Sequence, residues 1–130
     1  CYEAYASVHA LTRLAASKLR RRMITGRELF ALLDQGDPVA LSCLESWVRE
    51  VALGLSSLIH VLNPGALVLG GGVMQRREVV DRVRAALEGQ LLPAMMPDEV
   101  CAAALGNAAG LYGCHVAARK KMEALHAFPE

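Results

Sequence analysis

The sequence has few aromatic side chains, almost no net charge and no closely spaced pair of cysteines. Only one Trp, two Phe and three Tyr occur among 130 residues, although 54% of the chain is apolar. A core must therefore be built from Leu, Val and Ala, and the chain has the size of one domain. The net charge of +1 argues against a nucleic-acid-binding face, which requires a strong excess of basic residues.

The four cysteines, Cys1, Cys43, Cys101 and Cys114, are far apart and form no C-x-x-C pair. Without a disulfide framework, the sequence favours a reducing, cytoplasmic location. Three of the cysteines lie in apolar surroundings that resemble helices or strands, so we expect them to be buried as small hydrophobic side chains.

A membrane-spanning segment is also missing from the sequence. Residues 51–74 carry no formal charge, but Ser, His, Asn, Pro and Gly interrupt them. The apolar pieces that remain are too short to cross the roughly 30 Å of a bilayer. We therefore expect no association with a membrane.

The first half of the chain has the apolar spacing of helices. Steps of three and four residues over residues 4–22 predict one helix there. Thr25 followed by Glu28 has the spacing of a capping box and predicts a short helix after it. Asp37 predicts the start of a long helix that reaches about Leu62. The second half of this long helix is apolar nearly all round, so we expect it to lie deep in a core.

The second half of the chain alternates between short apolar runs and helical patterns. An unalternated run at Ala66–Leu69 is typical of a strand covered on both faces, as in a parallel sheet. Residues 78–87 predict an amphipathic helix, residues 100–105 a second strand, and residues 107–125 a last helix. We therefore predict a helix-rich α/β chain, with a helical region at 1–63 and a βαβα unit at 64–126.

Three consecutive glycines, Gly70, Gly71 and Gly72, stand directly behind the first predicted strand. Ligands bind at the carboxyl ends of parallel strands, and glycine lets the backbone approach a phosphate or a ring. The alternative is a tight turn with no ligand, for which a single glycine would suffice. The pattern is not a dinucleotide fingerprint, since Gln75 stands where the third glycine should be. It is not a Walker A loop either, because no Gly-Lys-Ser/Thr follows the glycines.

The last predicted helix carries Gly106, Gly110 and Gly113 on one face, at steps of four and three residues. Such a smooth face permits close helix packing. It also permits a flat wall beside a planar ligand such as adenine. Both interpretations remain open at this point.

Four motifs in this order resemble the ROK family, which holds bacterial hexose and acylamino-sugar kinases and sugar-responsive repressors. Two of them are "NPGALVLGGGV" at 63–73 and "ALGNAAGLYGC" at 104–114. "CYEAYAS" at 1–7 resembles the end of the family's Cys-x-Cys-Gly-x-x-Gly-Cys-x-Glu-x-x-x-Ser element, and "GDPVA" at 36–40 resembles its Gly-Asp-x-x-Ala. The resemblance covers essentially the whole chain.

The resemblance implies roles for individual residues. Cys1 matches the last cysteine of the family's structural zinc site, whose other ligands lie upstream. Glu3 matches a glutamate that binds sugar hydroxyls, although its own position also suits an acid that complements a helix dipole. Gly70–Gly72 match a loop beside the nucleotide, and Gly106 with Asn107 match a second nucleotide-proximal segment.

The resemblance also implies an actin-like, ribonuclease H-like ATPase whose two lobes close over the sugar and ATP with Mg²⁺. The family's catalytic Asp and its Asp-x-Gly-Gly-Thr phosphate loop belong to the N-terminal lobe, and neither is found here. We interpret Asp34 and Asp37 of "LDQGDP" as helix caps.

Residues 1–130 are thus predicted to be the C-terminal part of a ROK-type sugar kinase, inactive alone and part of a homo-oligomer, which we expect to be a dimer. The alternative is the effector domain of a ROK-type repressor, which would bind nucleic acid only through an upstream helix-turn-helix. A third hypothesis is a remnant that serves only for dimerisation.

Overall fold

The fold comes from a computed structural model that describes residues 1–126, without the side chains at 107, 125 and 126. Four helices are followed by strand, helix, strand and helix, which confirms the predicted helix-rich α/β order. The elements are α1 (Glu3–Ala6), α2 (Val8–Lys18), α3 (Gly26–Asp34), α4 (Pro38–Leu62), β1 (Ala66–Leu69), α5 (Arg77–Glu88), β2 (Glu99–Ala102) and α6 (Ala109–His126). Short 3₁₀ turns occupy Val73–Gln75, Pro93–Met95 and Gly106–Ala108.

The prediction of a single helix over residues 4–22 is wrong, because the helix is interrupted at Ser7. The backbone of Ser7 is extended, with ψ of 160°, and its side chain accepts a hydrogen bond from the Ala10 amide at 3.2 Å. Ser7 is therefore the N-cap of α2 and separates it from the short α1. Apolar periodicity runs through this position and does not reveal the break.

The predicted caps of α3 and α4 are confirmed. Thr25 accepts from the Glu28 amide at 3.2 Å, and the Glu28 carboxylate accepts from the Thr25 amide at 2.7 Å, which is a complete capping box. The hydrogen bonds from Thr25 hold the pKa of Glu28 below its ordinary value. At the start of α4, Asp37 accepts from the Ala40 amide at 2.8 Å.

The core lies around α4, which packs against α2, α3 and α5. From α5, which the sequence predicted to be amphipathic, it receives three fully buried side chains on one face: Val79, Val83 and Leu87. Leu69 of β1 and Val100 of β2 close the core from the sheet side. The helical half and the first strand–helix unit therefore share one apolar interior.

The second half of α4 does not lie deep in the core of this chain, contrary to prediction. Leu53, Leu58 and Val61 are more than half exposed, because only one face of α4 meets other described elements. β1 is likewise not covered on both faces, since Val68 is exposed while Leu69 is buried.

The four cysteine thiols are free, but their burial differs from prediction. Cys43 is fully buried on α4 and Cys101 is partly buried, whereas Cys1 and Cys114 are exposed. Cys114 is exposed because it lies on α6, whose described side chains all face solvent. Within residues 1–126, none of the helices combines the length and hydropathy needed to span a membrane.

Candidate functional site

The sheet brings the two glycine segments of the chain to one edge. β1 and β2 pair in parallel, as predicted, with Leu69 opposite Ala102. Just beyond the pair, the Ala103 amide donates to the Leu69 carbonyl at 2.8 Å. Because parallel strands end at the same edge, Gly70–Gly72 after β1 and Gly106 after β2 lie on the same side of the sheet.

The conformation of the first glycine segment requires glycine at only one of its three positions. Gly71 has φ of +102°, a region that L-residues rarely adopt, whereas Gly72 is in the right-handed helical region. The Met74 amide donates to the Gly71 carbonyl at 3.1 Å and closes a 3₁₀ turn. Turn geometry therefore explains Gly71 and does not explain its neighbours.

Free space surrounds the exposed part of this segment. Apart from the adjacent residues in sequence, no heavy atom of the described chain lies within 4 Å of the position where Gly70 or Gly71 would carry a Cβ. Behind the turn, Val73 and Met74 are buried and anchor it to the core. The result is a backbone surface that is fixed from behind and accessible from the front, to which a phosphate or a ring can come close.

Gln75 connects the two glycine segments. Gly106 has φ of +50°, and a Cβ built on it would lie 2.8 Å from Oε1 and 2.9 Å from Cδ of Gln75. The backbone therefore favours glycine at 106, and any larger residue there would also have to displace the Gln75 carboxamide. Sequence reasoning used Gln75 only to exclude a dinucleotide fingerprint and missed this contact, for which the sequence holds no local signal.

Arg76, at the exit of the first glycine segment, binds α3. Its Nη1 and Nη2 donate to the two carboxylate oxygens of Asp34 at 2.6 and 2.9 Å, and Nη1 also donates to Glu78 at 3.0 Å. Its guanidinium lies 4.5 Å from the centre of the Phe30 ring. The hydrogen bond from Arg76 holds the pKa of Asp34 below its ordinary value, and the two carboxylates raise the pKa of Arg76.

This pairing corrects the role predicted for Asp34. The sequence indicated that Asp34 and Asp37 both cap helices, but only Asp37 does so. Gln35 takes the C-cap position of α3, and the Asp34 carboxylate turns instead to Arg76. Sequence reasoning missed Arg76 altogether, because its partner is 42 residues away.

Glu3, predicted to bind sugar, is exposed in the first turn of α1. The helix is held to α4 by Tyr2, whose Oη donates to the Val51 carbonyl at 2.7 Å and whose ring occupies the space where a Cβ on Gly54 would lie. The position suits both the predicted sugar contact and the helix-dipole alternative, so the sugar contact stays a prediction.

Cys1, predicted to bind zinc, is exposed at the start of the chain. Among the described residues, no three His, Cys, Asp or Glu side chains are grouped so that they could hold a metal ion. A structural zinc site needs four ligands, so zinc does not fit the residues of this chain by themselves.

The remaining nucleotide-site predictions lie at the start of α6. Asn107 belongs to the 3₁₀ turn Gly106–Ala108, but its side chain is outside the described residues. Gly110 and Gly113 have no heavy atom of the described chain within 4 Å of a built Cβ. Close packing at Gly110 and Gly113 therefore has no partner in the part of the chain that is described, and the flat wall stays a prediction.

The ROK family model matches residues 1–121 of the chain. A glucokinase of Streptomyces coelicolor is 31% identical over 139 aligned positions, which cover 92% of this chain and 44% of that protein. The match and the four motifs agree on the same family, as predicted.

Two solved structures resemble the fold. The ROK hexokinase of Thermus thermophilus superposes with a TM-score of 0.76 at 36% identity, covering 87% of this chain and 38% of that one. The ROK glucokinase of Streptomyces griseus, solved with glucose and AMPPNP, also gives 0.76, at 30% identity over 87% of this chain and 42% of that one. The chain thus spans less than half the length of each of these three proteins.

Proposed function

This chain belongs to the ROK family, and we propose that it is the C-terminal part of an ATP-dependent sugar kinase that phosphorylates a hexose or an N-acyl hexosamine. The observation that supports this most strongly is the accessible glycine segment Gly70–Gly72 at the carboxyl edge of two parallel strands. The substrates are proposed because the similar S. griseus glucokinase was solved with glucose and an ATP analogue.

The nucleotide would lie against the two glycine segments. Gly70 and Gly71 leave free space in front of the backbone, and Gly106 with Asn107 would form the adjoining part of the wall. ATP would bring Mg²⁺ to neutralise its phosphates, as phosphoryl transfer requires. The sugar would be held in part by Glu3, as a charged acceptor for a hydroxyl.

The chain by itself should lack kinase activity. Phosphoryl transfer depends on positioning and charge stabilisation between two closing lobes. The Asp that would serve as general base in the family's motif has no counterpart here, and both Asp34 and Asp37 are engaged in structural contacts. We therefore propose that activity needs a second lobe from outside this sequence.

Replacing Gly71 with valine in the full-length protein tests the nucleotide assignment. We expect Gly71→Val to weaken ATP binding by roughly tenfold or more while sugar binding changes little, because a branched Cβ fills the free space that the ligand needs. Calorimetric titration of each ligand measures both affinities.

Gly36→Val is the matched control for backbone strain. Gly36 has φ of +76°, has the same free surroundings as Gly71, and lies between α3 and α4, away from the sheet edge. Gly36→Val should lower the thermal stability of the protein by about as much as Gly71→Val does, and it should leave the ATP affinity unchanged. Equal ATP affinities for Gly71→Val and wild type would contradict the assignment of Gly70–Gly72 to the nucleotide site, and a wild type that binds no ATP would favour the repressor alternative.

A further inference from the structure

We propose that Arg76 is a positioning residue that holds the Gly70–Gly72 segment in its binding conformation by tying the exit of that segment to α3. The effect on nucleotide binding rests on the function proposed above. The effect on the order of the segment does not, and it can be measured separately.

The contacts of Arg76 fix its side chain from several directions. Two parallel hydrogen bonds to Asp34 fix the edge of the guanidinium, and a third, to Glu78, holds Nη1. The ring of Phe30, itself buried, covers one face of the guanidinium at 4.5 Å. A planar, bidentate and stacked arrangement of this kind requires arginine, because lysine offers neither the fork nor the plane.

The backbone of Arg76 transmits this position to the glycine segment. Its amide donates to the Val73 carbonyl at 3.3 Å, and its carbonyl accepts from the Val79 amide at 3.0 Å. Arg76 is thus the last residue of the turn that follows Gly72 and also the N-cap of α5. Movement of its side chain would move the turn that carries Gly71.

The glycine segment has few other means of keeping its shape. β1 holds its beginning at Leu69, and the buried Val73 and Met74 hold its end. Between them, Gly70 and Gly71 have no side chains and no near neighbours in the described chain. Three glycines have high conformational entropy, so the geometry of this backbone depends on how firmly its two ends are held.

A surface ion pair without a positioning role predicts a different outcome. The side chains of Arg76 and Asp34 are 34% and 56% exposed, and pairs of this kind add little to global stability. A positioning role predicts a local effect that is much larger than the global one. Local hydrogen exchange therefore separates the two interpretations where denaturation does not.

The experiment compares Arg76→Ala with Arg82→Ala. Arg82 lies on the same helix and pairs with Glu45 of α4, with side chains 39% and 47% exposed, and among the described residues it makes no hydrogen bond or ion pair with residues 70–76. We expect amide exchange at residues 70–76 to become roughly tenfold faster in Arg76→Ala, intermediate in Arg76→Lys, and unchanged in Arg82→Ala. Equal exchange in Arg76→Ala and Arg82→Ala would overturn the proposal.

Asp34→Asn provides a second variant that leaves Arg76 in place. If the pair acts as one unit, Asp34→Asn should accelerate exchange at the same amides, and adding Arg76→Ala should increase it little further. Fully independent effects of the two substitutions would contradict a shared role in positioning.

Enzyme kinetics of the full-length protein then test the link to function. Arg76→Ala should raise the KM for nucleotide by roughly fivefold or more and leave the KM for sugar unchanged, with partial recovery in Arg76→Lys. If exchange accelerates but the wild type binds no nucleotide, the proposed function fails while the positioning role stands. If exchange accelerates and nucleotide KM is unchanged, the link to nucleotide binding is overturned.

Discussion

The two strand–glycine–helix units of the C-terminal half have the same order of elements and very different surroundings. In the first unit, β1 leads through Gly70–Gly72 to α5, whose apolar face is buried against α4. In the second, β2 leads through Gly106 to α6, whose described side chains all face solvent. The apolar side chains of a helix are therefore buried only where a neighbouring element covers them.

Exposed apolar side chains occur on α4 as well as on α6. Leu111 and Tyr112 on α6 are more than half exposed, and so are Leu53, Leu58 and Val61 on α4. Exposed apolar surface commonly marks an interface where it is contiguous. Since the chain spans less than half the length of its relatives, we expect the rest of a longer protein to cover it.

The largest expected difference between the two units concerns their apolar side chains. Leu87 on α5 is fully buried, whereas Leu111 on α6 is 77% exposed. We expect Leu87→Ala to lower the free energy of unfolding of this chain by about 2–5 kcal/mol, because it leaves a cavity in the core. Leu111→Ala should change it by less than about 0.5 kcal/mol. Urea denaturation followed by circular dichroism measures both values.

The same pair of variants in the full-length protein sharpens the comparison. If a second lobe or a second copy covers α6, Leu111→Ala becomes more costly there than in the isolated chain. A large cost for Leu111→Ala already in the isolated chain would mean that α6 packs on the described core, which would break the contrast between the units.

A smaller effect is expected at the contact that joins the units. Gly106→Ala should destabilise the chain by about 1–2 kcal/mol, because alanine at φ of +50° is strained and its Cβ meets the Gln75 carboxamide. In a Gln75→Ala background, the share of this destabilisation that comes from the clash with the carboxamide should disappear. The share that comes from backbone strain should remain. Thermal denaturation of the four members of this cycle separates the two contributions.

Identical costs of Gly106→Ala with and without Gln75 would show that the carboxamide moves away freely. The two glycine segments would then be held together by the sheet alone.

Local chemistry is the part of this fold that the sequence predicts well. The capping box of Thr25 and Glu28, the Asp37 cap and the bounds of β1 were all predicted, because each depends on residues within a few positions of one another. The break at Ser7 was missed, since a serine in a helical pattern is compatible with either a cap or a helix interior.

Long-range features could not be predicted in this way. The bond from Arg76 to Asp34 and the contact of Gln75 with Gly106 depend on how elements pack, and the sequence shows no pattern at such separations. The burial of α4 and of Cys114 was overestimated for a related reason. Periodicity identifies an apolar face, but it does not state whether the covering layer belongs to the same chain.

The smallest expected effect concerns Gly110 on α6 and distinguishes the two interpretations of its smooth face. Gly110 is exposed and has free space around a built Cβ, so alanine fits there without strain. Because alanine favours helix over glycine by about 1 kcal/mol, Gly110→Ala should raise the helix content of α6. Since α6 has little contact with the core, global stability should change by less than about 0.5 kcal/mol.

In the full-length protein, a loss of nucleotide affinity on Gly110→Ala would support the flat wall beside a ligand. A loss of thermal stability with unchanged nucleotide affinity would instead support close packing against a covering element.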